Sequence, residues 1–235
     1  MGEERPLASL SLTHVHYNPE DPVSFFSAWL ALVPQALCVV YVTLVWASRE
    51  VEVFLMFAGQ MACEALNFAL KRIIKEERPK QMFGKGYGMP SSHAQFVGFF
   101  AVYMALFLLF RHSPEHGSSP LFRIFASIAI SIGATAVAVS RIYLTYHTTR
   151  QVLAGCAVGV IFACVWFVFT GVLRSHGFIE WALDYSLARF LRIRDLVVSE
   201  DLAEAGWVRF ETRQRVRRSE RAGKRGGRGS SEKDD

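Results

Sequence analysis

The sequence lacks the features that would place it in several common protein classes. Its cysteines form no close C-x-x-C pair and all lie in apolar stretches, at Cys38, Cys63, Cys156 and Cys164. Free thiols that act as small buried hydrophobic groups are therefore expected, and a zinc site is not. Residues 1–22 contain no apolar run typical of a signal peptide, and the chain contains no internal repeat. We expect neither a cleaved signal nor a repeat architecture.

What the chain has in quantity is apolar side chains. Of its 235 residues, 51% are hydrophobic and 13% are aromatic, including 19 Phe, which is near the upper limit for a soluble globular protein. These residues are also clustered into runs that approach the roughly 20 residues needed to cross a bilayer. A membrane protein is therefore expected before any motif is considered.

Five apolar segments are long enough to be membrane spans, at residues 23–46, 51–74, 92–110, 121–139 and 151–173. Pro34 interrupts the first, which neighbouring helices can accommodate. Glu64 lies in the second, and an ionisable residue at membrane depth is either functional or a paired or protonated carboxyl between helices. Both interpretations of Glu64 remain open. The predicted fold is an all-α, multi-pass transmembrane helical bundle of about five spans.

The regions that flank this bundle differ in composition. Residues 1–22 form a polar lead-in, and residues 23–175 form the transmembrane domain. Residues 176–208 mix aromatic with charged side chains, which predicts an amphipathic helix in the membrane interface. Residues 209–235 are rich in arginine and could bind nucleic acid or anionic lipid headgroups. Because no aromatic residue interleaves with the arginines after Phe210, we expect a disordered basic tail and no nucleic-acid partner.

Five crossings also determine which polar segments meet. The loop at 75–90 and the connection at 140–150 would fall on one side of the membrane, and the C-terminal tail on the other. The arginines of the tail favour a cytosolic C-terminus. The polar residues capable of chemistry are therefore expected at one membrane face, away from the cytosol.

The first polar cluster at that face pairs Lys71 with Arg78. A separation of seven residues is close to two helical turns, which predicts that both cations lie near one helix face. Pro79 follows and helps to end the helix. Taken alone, the pattern is also typical of the positive flank of a membrane span.

The second cluster is Pro90-Ser91-Ser92-His93, where the third span begins. The first backbone N–H groups of a helix have no partner within it, and with the helix dipole they form an anion site. Ser91 or Ser92 could cap the helix or bind a phosphate oxygen, and His93 would stand in the first turn. An ordinary helix cap beside an uninvolved histidine would explain the same residues.

The third cluster is Ser140-Arg141, followed by His147 and Gln151. His147 and Gln151 are four residues apart, so their side chains would meet on a helix. A partner on Nδ1 fixes the tautomer and frees Nε2 to act as a base or nucleophile. Taken alone, the cluster could be an arginine and a histidine at a membrane boundary.

Together the three clusters are far more specific than any one of them. They combine three cations, a helix N-terminus and two histidines at one face, which is what a phosphoryl-transfer site without a metal requires. The transition state spreads negative charge over the equatorial oxygens, and catalysis consists mostly of positioning and electrostatic stabilisation. Lys71, Arg78 and Arg141 can supply that stabilisation, so we expect no metal and no cofactor.

These residues also resemble the signature motifs of a known family. Lys71-x6-Arg78-Pro79, Pro90-Ser91-Ser92-His93 and Ser140-Arg141-x5-His147 are similar, in order and spacing, to the three motifs of the type 2 phosphatidic acid phosphatase superfamily. The resemblance implies that His147 attacks phosphorus and becomes phosphohistidine, while His93 protonates the departing oxygen. It further implies a phosphate-binding set formed by Lys71, Arg78, Ser91, Ser92 and Arg141.

One branch of this superfamily, whose members cleave dolichyl diphosphate, matches more closely. Ser92 stands where glycine is common and Gln151 where an aspartate usually orients the nucleophile, and both variants are expected in that branch. The resemblance covers roughly residues 11–215 and includes Leu12-Thr13-His14-Val15 and Ile193-Arg194-Asp195. It implies a polyprenyl (dolichyl) diphosphate substrate, a place in recycling the lipid carrier of N-glycosylation, and an endoplasmic reticulum membrane enzyme whose active site faces the lumen.

Two alternatives remain open at this point. The chain could be a lipid phosphate phosphatase of broad specificity, or a catalytically silent membrane protein that binds or scrambles phospholipids. The residue at 151 bears on the choice of substrate, because a neutral Gln stabilises an imidazolium less than a carboxylate does. We therefore expect a preference for diphosphates, whose phosphate leaving group departs more readily than an alkoxide.

Overall fold

The computed structural model of the chain describes residues 15–79, 86–114 and 119–231, with side chains described as far as residue 220. In these ranges the backbone is helical, without strands apart from one isolated bridge between Glu50 and Arg194. The helices are α1 (Pro22–Leu30), α2 (Val33–Ser48), α3 (Val51–Ile74), α4 (Ser92–Leu106), α5 (Pro120–Tyr143), α6 (Thr149–Ser175), α7 (Phe178–Leu183), α8 (Ser186–Leu191) and α9 (Leu202–Ser231). The predicted all-α class is confirmed.

Five helical stretches are long and apolar enough to cross a membrane, and they are Pro22–Ser48, Val51–Ile74, Ser92–Arg111, Pro120–Tyr143 and Thr149–Ser175. The first combines α1 with α2, and the third adds the π-helical turn Phe107–Arg111 to α4. The prediction of five spans is confirmed. We call the end of the bundle that carries residues 75–79, 86–91 and 144–148 the site end, and the other the opposite end.

Local sequence features account for where the helices begin and end. Asp21 and Ser119 cap α1 and α5 by accepting hydrogen bonds from Val23 N and Phe122 N. Arg49 and Lys75 adopt left-handed conformations, with φ of 56° and 53°, directly after α2 and α3. Such residues turn the chain out of the helix and give the last carbonyls a partner.

Helix α4 lies at the centre of the bundle and packs most closely against α6. Two glycines of α6 permit this approach. A Cβ atom at Gly155 would lie 2.5 Å from Ser91 O, and one at Gly159 would lie 2.3 Å from Gln95 O. Small residues let membrane helices pack backbone to backbone. The N-termini of α4 and α6 are therefore held side by side, and Ser91 N donates to Gln151 O at 3.1 Å.

A charged cluster closes the opposite end of the bundle. Buried Glu52 accepts from Arg111 at 2.6 Å and from Arg174 at 2.7 Å, and Arg174 also pairs with Asp195. The neighbouring carboxylate of Glu50 accepts from Arg194 Nε at 2.7 Å. These pairs explain the Ile193-Arg194-Asp195 motif, which ties the segment after α8 to the bundle.

Two regional predictions need correction. Residues 176–208 are not one interfacial helix: α7 and α8 are separate short helices, and the segment around Val197 packs against the core. The tail predicted to be disordered is helical as far as Ser231 in α9. Within it Glu211 pairs with Arg215 one turn later, and such a pair adds a few tenths of a kcal/mol, roughly 0.2–0.5, to an exposed helix. Residues 1–14, including the Leu12–His14 part of the N-terminal motif, lie outside the described ranges.

Candidate active site

The first predicted pair, Lys71 and Arg78, is brought together by a turn and not by a helix face. Helix α3 already ends at Ile74, so Arg78 lies in the following loop. The prediction that both cations occupy one face of a helix is therefore wrong, because left-handed Lys75 ends the helix before Pro79 is reached. Lys71 nevertheless reaches the second cluster, where its Nζ donates to Ser92 Oγ at 3.4 Å.

The second cluster lies at the start of α4, as predicted. Ser91 is the N-cap residue, yet its hydroxyl makes no capping hydrogen bond. His93 stands in the first turn, and its ring Nε2 lies 3.0 Å from the carbonyl oxygen of Ala31, at the break between α1 and α2. A carbonyl only accepts, so Nε2 carries the hydrogen. Nδ1 is therefore the ring nitrogen of His93 that this contact does not occupy.

A tight loop after α5 places the third cluster. The carbonyl of Arg141 accepts from the backbone N–H of both Tyr146 and His147, at 3.1 and 3.2 Å. Thr145 adopts a left-handed φ of 57° to close this turn. As a result His147 is held beside Arg141, whose guanidinium stacks on the ring of Tyr146 at 4.1 Å from its centroid.

His147 and Gln151 are in contact, as predicted, although the reason differs. Gln151 Oε1 accepts from His147 Nδ1 at 3.1 Å. His147 precedes α6, so the contact is not an i,i+4 pair on a helix. Gln151 instead folds back as the third residue of a capping box with Thr148. The amide oxygen fixes the hydrogen of His147 on Nδ1, which leaves the Nε2 lone pair free to attack.

The remaining hydrogen-bonding positions of the Gln151 side chain are also occupied. Besides His147, its Oε1 accepts from Thr148 N at 3.3 Å. Its Nε2 donates to the carboxylate of Glu76 at 3.0 Å and to the carbonyl of Glu77 at 2.9 Å. An amide offers two acceptor sites and two donors, and all four are used. Glu76 was missed by sequence reasoning because it is separated from Gln151 by 75 positions and belongs to none of the three motifs.

Glycine at position 88 allows this arrangement. A Cβ atom there would lie 2.7 Å from Gln151 Nε2, too close for any ordinary contact. The backbone N–H of Gly88 also donates to the carbonyl of Glu76 at 2.7 Å. The loop after α3 and the segment before α4 are thus closed around the amide of Gln151. Residues 80–85, including Lys80 and Lys85, lie outside the described ranges.

The electrostatic environment shows that the three clusters share one site. Burial lowers the pKa of His147 to about 4, and the positive charges of Arg78, Arg141 and Lys71 contribute to the shift. Burial also lowers the pKa of Arg78. His93 lies near enough to Arg141 and His147 for their charges to act on it. The predicted site residues are therefore brought together at the site end.

Several hydrogen-bond donors at this centre have no protein acceptor. Arg78 Nε, Ser91 Oγ, Arg141 Nε and Arg141 Nη1 are buried and unpaired among the described residues. Buried polar groups are nearly always hydrogen-bonded, and leaving one unpaired costs roughly 1–3 kcal/mol. Donors of this kind, set among three cations, fit the oxygens of a phosphate group. The arrangement can bind a phosphoryl group and present His147 Nε2 to its phosphorus.

A cavity of about 230 Å³ adjoins this centre on the side of the bundle. Its walls come from α2, α3 and α4 and include Met61, Glu64, Ser92, His93 and Phe96. Glu64 is half-buried there, and its Oε1 has no hydrogen-bond partner in the described part of the chain. This mostly apolar space lies next to His93 and within the membrane-spanning region, so it has room for the apolar atoms nearest the phosphate of a lipid and not for a whole lipid chain.

Comparison with known proteins gives a consistent result. Residues 51–174 match the PAP2 superfamily. A Neurospora crassa protein provisionally named dolichyldiphosphatase is 50% identical, over 92% of this chain and 95% of that one. Dolichyldiphosphatase 1 of Homo sapiens is 35% identical, over 89% and 91%, and dolichyldiphosphatase of Saccharomyces cerevisiae is 32% identical, over 86% and 88%.

A solved structure shares the fold. The transmembrane PAP2-type phosphatidylglycerolphosphate phosphatase of Bacillus subtilis superposes with a TM-score of 0.53 at 20% identity. The match covers 63% of this chain and 77% of the other. At this identity the similarity concerns the fold alone.

Proposed function

The chain belongs to the PAP2 superfamily and is a membrane phosphatase, and on that basis we propose that it cleaves dolichyl diphosphate to dolichyl phosphate and inorganic phosphate. The observation that carries the proposal is the set of unpaired buried donors on Arg78, Ser91 and Arg141 around a histidine whose Nε2 is free. The names of the relatives supply the dolichyl part of the substrate.

In the first step the lone pair of His147 Nε2 forms a bond to the terminal phosphorus. The bond from that phosphorus to the bridging oxygen breaks, and its electron pair leaves with dolichyl phosphate, which takes the Nδ1 proton of His93. His93 therefore enters this step as an imidazolium, whose Nε2 hydrogen is held by the carbonyl of Ala31. Lys71, Arg78 and Arg141 hold the equatorial oxygens, whose negative charge grows in the transition state. The product of this step is a phosphohistidine at position 147.

In the second step a water molecule attacks the phosphohistidine. His93, now neutral, accepts a proton from that water as the new oxygen–phosphorus bond forms. The phosphorus–nitrogen bond breaks, and its electron pair returns to His147 Nε2. Inorganic phosphate leaves and both histidines regain their starting protonation states, as microscopic reversibility of an acid and base requires.

The orientation that we propose places the site end in the lumen of the endoplasmic reticulum. Arginines are frequent at the opposite end, at Arg49, Arg111, Arg174, Arg189, Arg192 and Arg194 and along α9. Positively charged loops favour the cytosol. Among the cations of the site end, Lys71, Arg78 and Arg141 would be retained on the lumenal side because they bind phosphate. This orientation places the enzyme where the diphosphate by-product of N-glycosylation is released.

Phosphate release from dolichyl diphosphate by the purified full-length protein tests the proposal. We expect turnover in the presence of a metal chelator, because the three cations stabilise the transition state. Phosphatidate and dolichyl phosphate, assayed in parallel, are expected to be cleaved far more slowly. Equal rates on all three lipids would favour a lipid phosphate phosphatase of broad specificity, and no phosphate from any of them would contradict the proposal.

Replacing His93 by alanine should separate the two types of substrate. The leaving group of a diphosphate is a phosphate with a second pKa of about 6, so it needs little protonation, whereas an alkoxide needs a proton. We expect His93→Ala to lower kcat about 100-fold on dolichyl diphosphate, on the scale of general acid catalysis. Cleavage of phosphatidate should fall much further. An equal and complete loss on both substrates would contradict the assigned role.

The lowered pKa of His147 predicts the acid side of the pH profile. Because its folded-state pKa is about 4, the imidazole stays neutral and nucleophilic well below pH 6.5. The acid limb of kcat/KM, which reports the free enzyme, should therefore lie below that of an ordinary histidine. Arg78→Gln removes one of the charges that disfavour the imidazolium and should move this limb to higher pH. A limb that stays in place in the variant would show that Arg78 does not act on His147.

A further inference from the structure

We infer that Glu76 is a positioning residue of this site and supplies, through Gln151, the negative charge that supports His147. The inference rests on the proposed function, because it concerns the same nucleophile. Its basis is a continuous hydrogen-bonded series in which His147 Nδ1 donates to Gln151 Oε1 and Gln151 Nε2 donates to the Glu76 carboxylate. The two contacts measure 3.1 and 3.0 Å.

The series accounts for the neutral residue at position 151. A glutamate or aspartate there would face the carboxylate of Glu76 and the carbonyl of Glu77, both of which require a donor. Carboxylates that share one site repel each other, and one of them takes up a proton. An amide avoids this conflict, since it presents oxygen to His147 and nitrogen to Glu76. Gln151 therefore connects a carboxylate to the histidine and does not replace one.

The charge of Glu76 would act at the moment when His147 becomes positive. When Nε2 bonds to phosphorus, the ring with its Nδ1 hydrogen becomes an imidazolium. The polarised amide transmits the field of the carboxylate to Nδ1, and no proton needs to leave the ring. This arrangement revises the expectation that a neutral Gln151 stabilises the imidazolium less than a carboxylate does, because the carboxylate of Glu76 is only one side chain further away.

The structure also keeps Glu76 in place for this role. Its backbone carbonyl accepts from Gly88 N at 2.7 Å, and its side chain is half-buried. The adjacent Glu77 is exposed and meets Gln151 only through its backbone carbonyl. The two neighbouring glutamates therefore differ in whether the side-chain carboxylate accepts a hydrogen bond from Gln151. This difference makes Glu77 a matched control.

The test compares Glu76→Gln and Glu77→Gln in the full-length enzyme with dolichyl diphosphate. Glu76→Gln keeps an acceptor for the Gln151 amide but removes the negative charge. We expect kcat to fall roughly 10- to 100-fold, which is the loss seen when the hydrogen-bond partner of a metal-binding histidine is replaced. KM should change little, and Glu77→Gln should match the wild type. Equal kcat in the two variants would overturn the inference, whereas an inactive wild type would contradict the proposed function itself.

Exchanging the carboxylate and the amide between positions 76 and 151 provides a second test. Its results should differ from those expected if Glu76 only supported the local structure. Gln151→Glu alone should be strongly impaired, because two carboxylates then face each other. Combining it with Glu76→Gln restores one carboxylate and one amide in reversed order, so kcat should exceed that of Gln151→Glu. The acid limb of kcat/KM should lie above that of the wild type, since the carboxylate now contacts His147 directly. A double variant no better than Gln151→Glu, with an unshifted limb, would overturn the inference.

Discussion

Replacing His147 by alanine is expected to abolish phosphate release from dolichyl diphosphate, with a loss of at least about 10⁴-fold in kcat, as for other enzymes that lose their nucleophile. The physical reason is that Lys71, Arg78 and Arg141 can still bind the diphosphate, but alanine lacks the Nε2 lone pair that attacks phosphorus in the proposed mechanism. Binding should therefore persist while turnover is lost. The measurement is single-turnover phosphate release together with retention of the lipid by the variant.

The control for this experiment is His176→Ala, since His176 is exposed at the opposite end of the bundle. We expect its activity to match the wild type. Rapid quenching in alkali of a reaction labelled at the terminal phosphate should trap a base-stable phosphoramidate on the wild type and on His176→Ala, but not on His147→Ala. Label trapped on His147→Ala, or phosphate release near the wild-type rate, would show that another group is the nucleophile.

Replacing Arg141 by lysine should lower kcat/KM by roughly 10²- to 10³-fold, although the formal charge is kept. Arg141 is 4% exposed, and its Nε and Nη1 are buried without a protein acceptor. The guanidinium is a rigid planar fork that holds Nε–H and Nη1–H at fixed angles, so it can donate to more than one phosphate oxygen, whereas an ammonium provides one point of charge. Steady-state kinetics on dolichyl diphosphate should show the loss mainly in kcat, because the fork meets oxygens whose charge grows in the transition state.

Arg72→Lys provides a matched control for loss of stacking. In the wild type the guanidinium of Arg72 lies 3.9 Å from the ring centroid of Phe68, much as that of Arg141 lies 4.1 Å from the ring centroid of Tyr146. Unlike Arg141, Arg72 is exposed. Both variants lose an arginine–aromatic contact, and only one loses a buried fork. If Arg72→Lys and Arg141→Lys were impaired to the same extent, the effect would come from stacking and not from phosphate binding.

The features that could be predicted from the sequence depend on short-range properties of the chain. Five apolar runs of sufficient length are enough to count the spans, because the bilayer imposes a minimum length on each helix. The count in turn places the loops before α4 and before α6 at one end. The tail shows the limit of composition alone, since its arginines predicted disorder although the chain is helical there as far as Ser231.

The sequence by itself predicted the set of side chains to which we assign the chemistry, namely Lys71, Arg78, His93, Arg141 and His147, and that they lie at one end of the bundle. Only the tertiary structure decided how they meet. The turn at Lys75, the capping box at Thr148 and the close packing of α6 on α4 bring the motifs together. The partners Ala31 and Glu76 are 62 and 75 positions away from the residues they contact. Such contacts follow no local period, because they are fixed by helix packing and by the strong tendency of buried donors to find an acceptor.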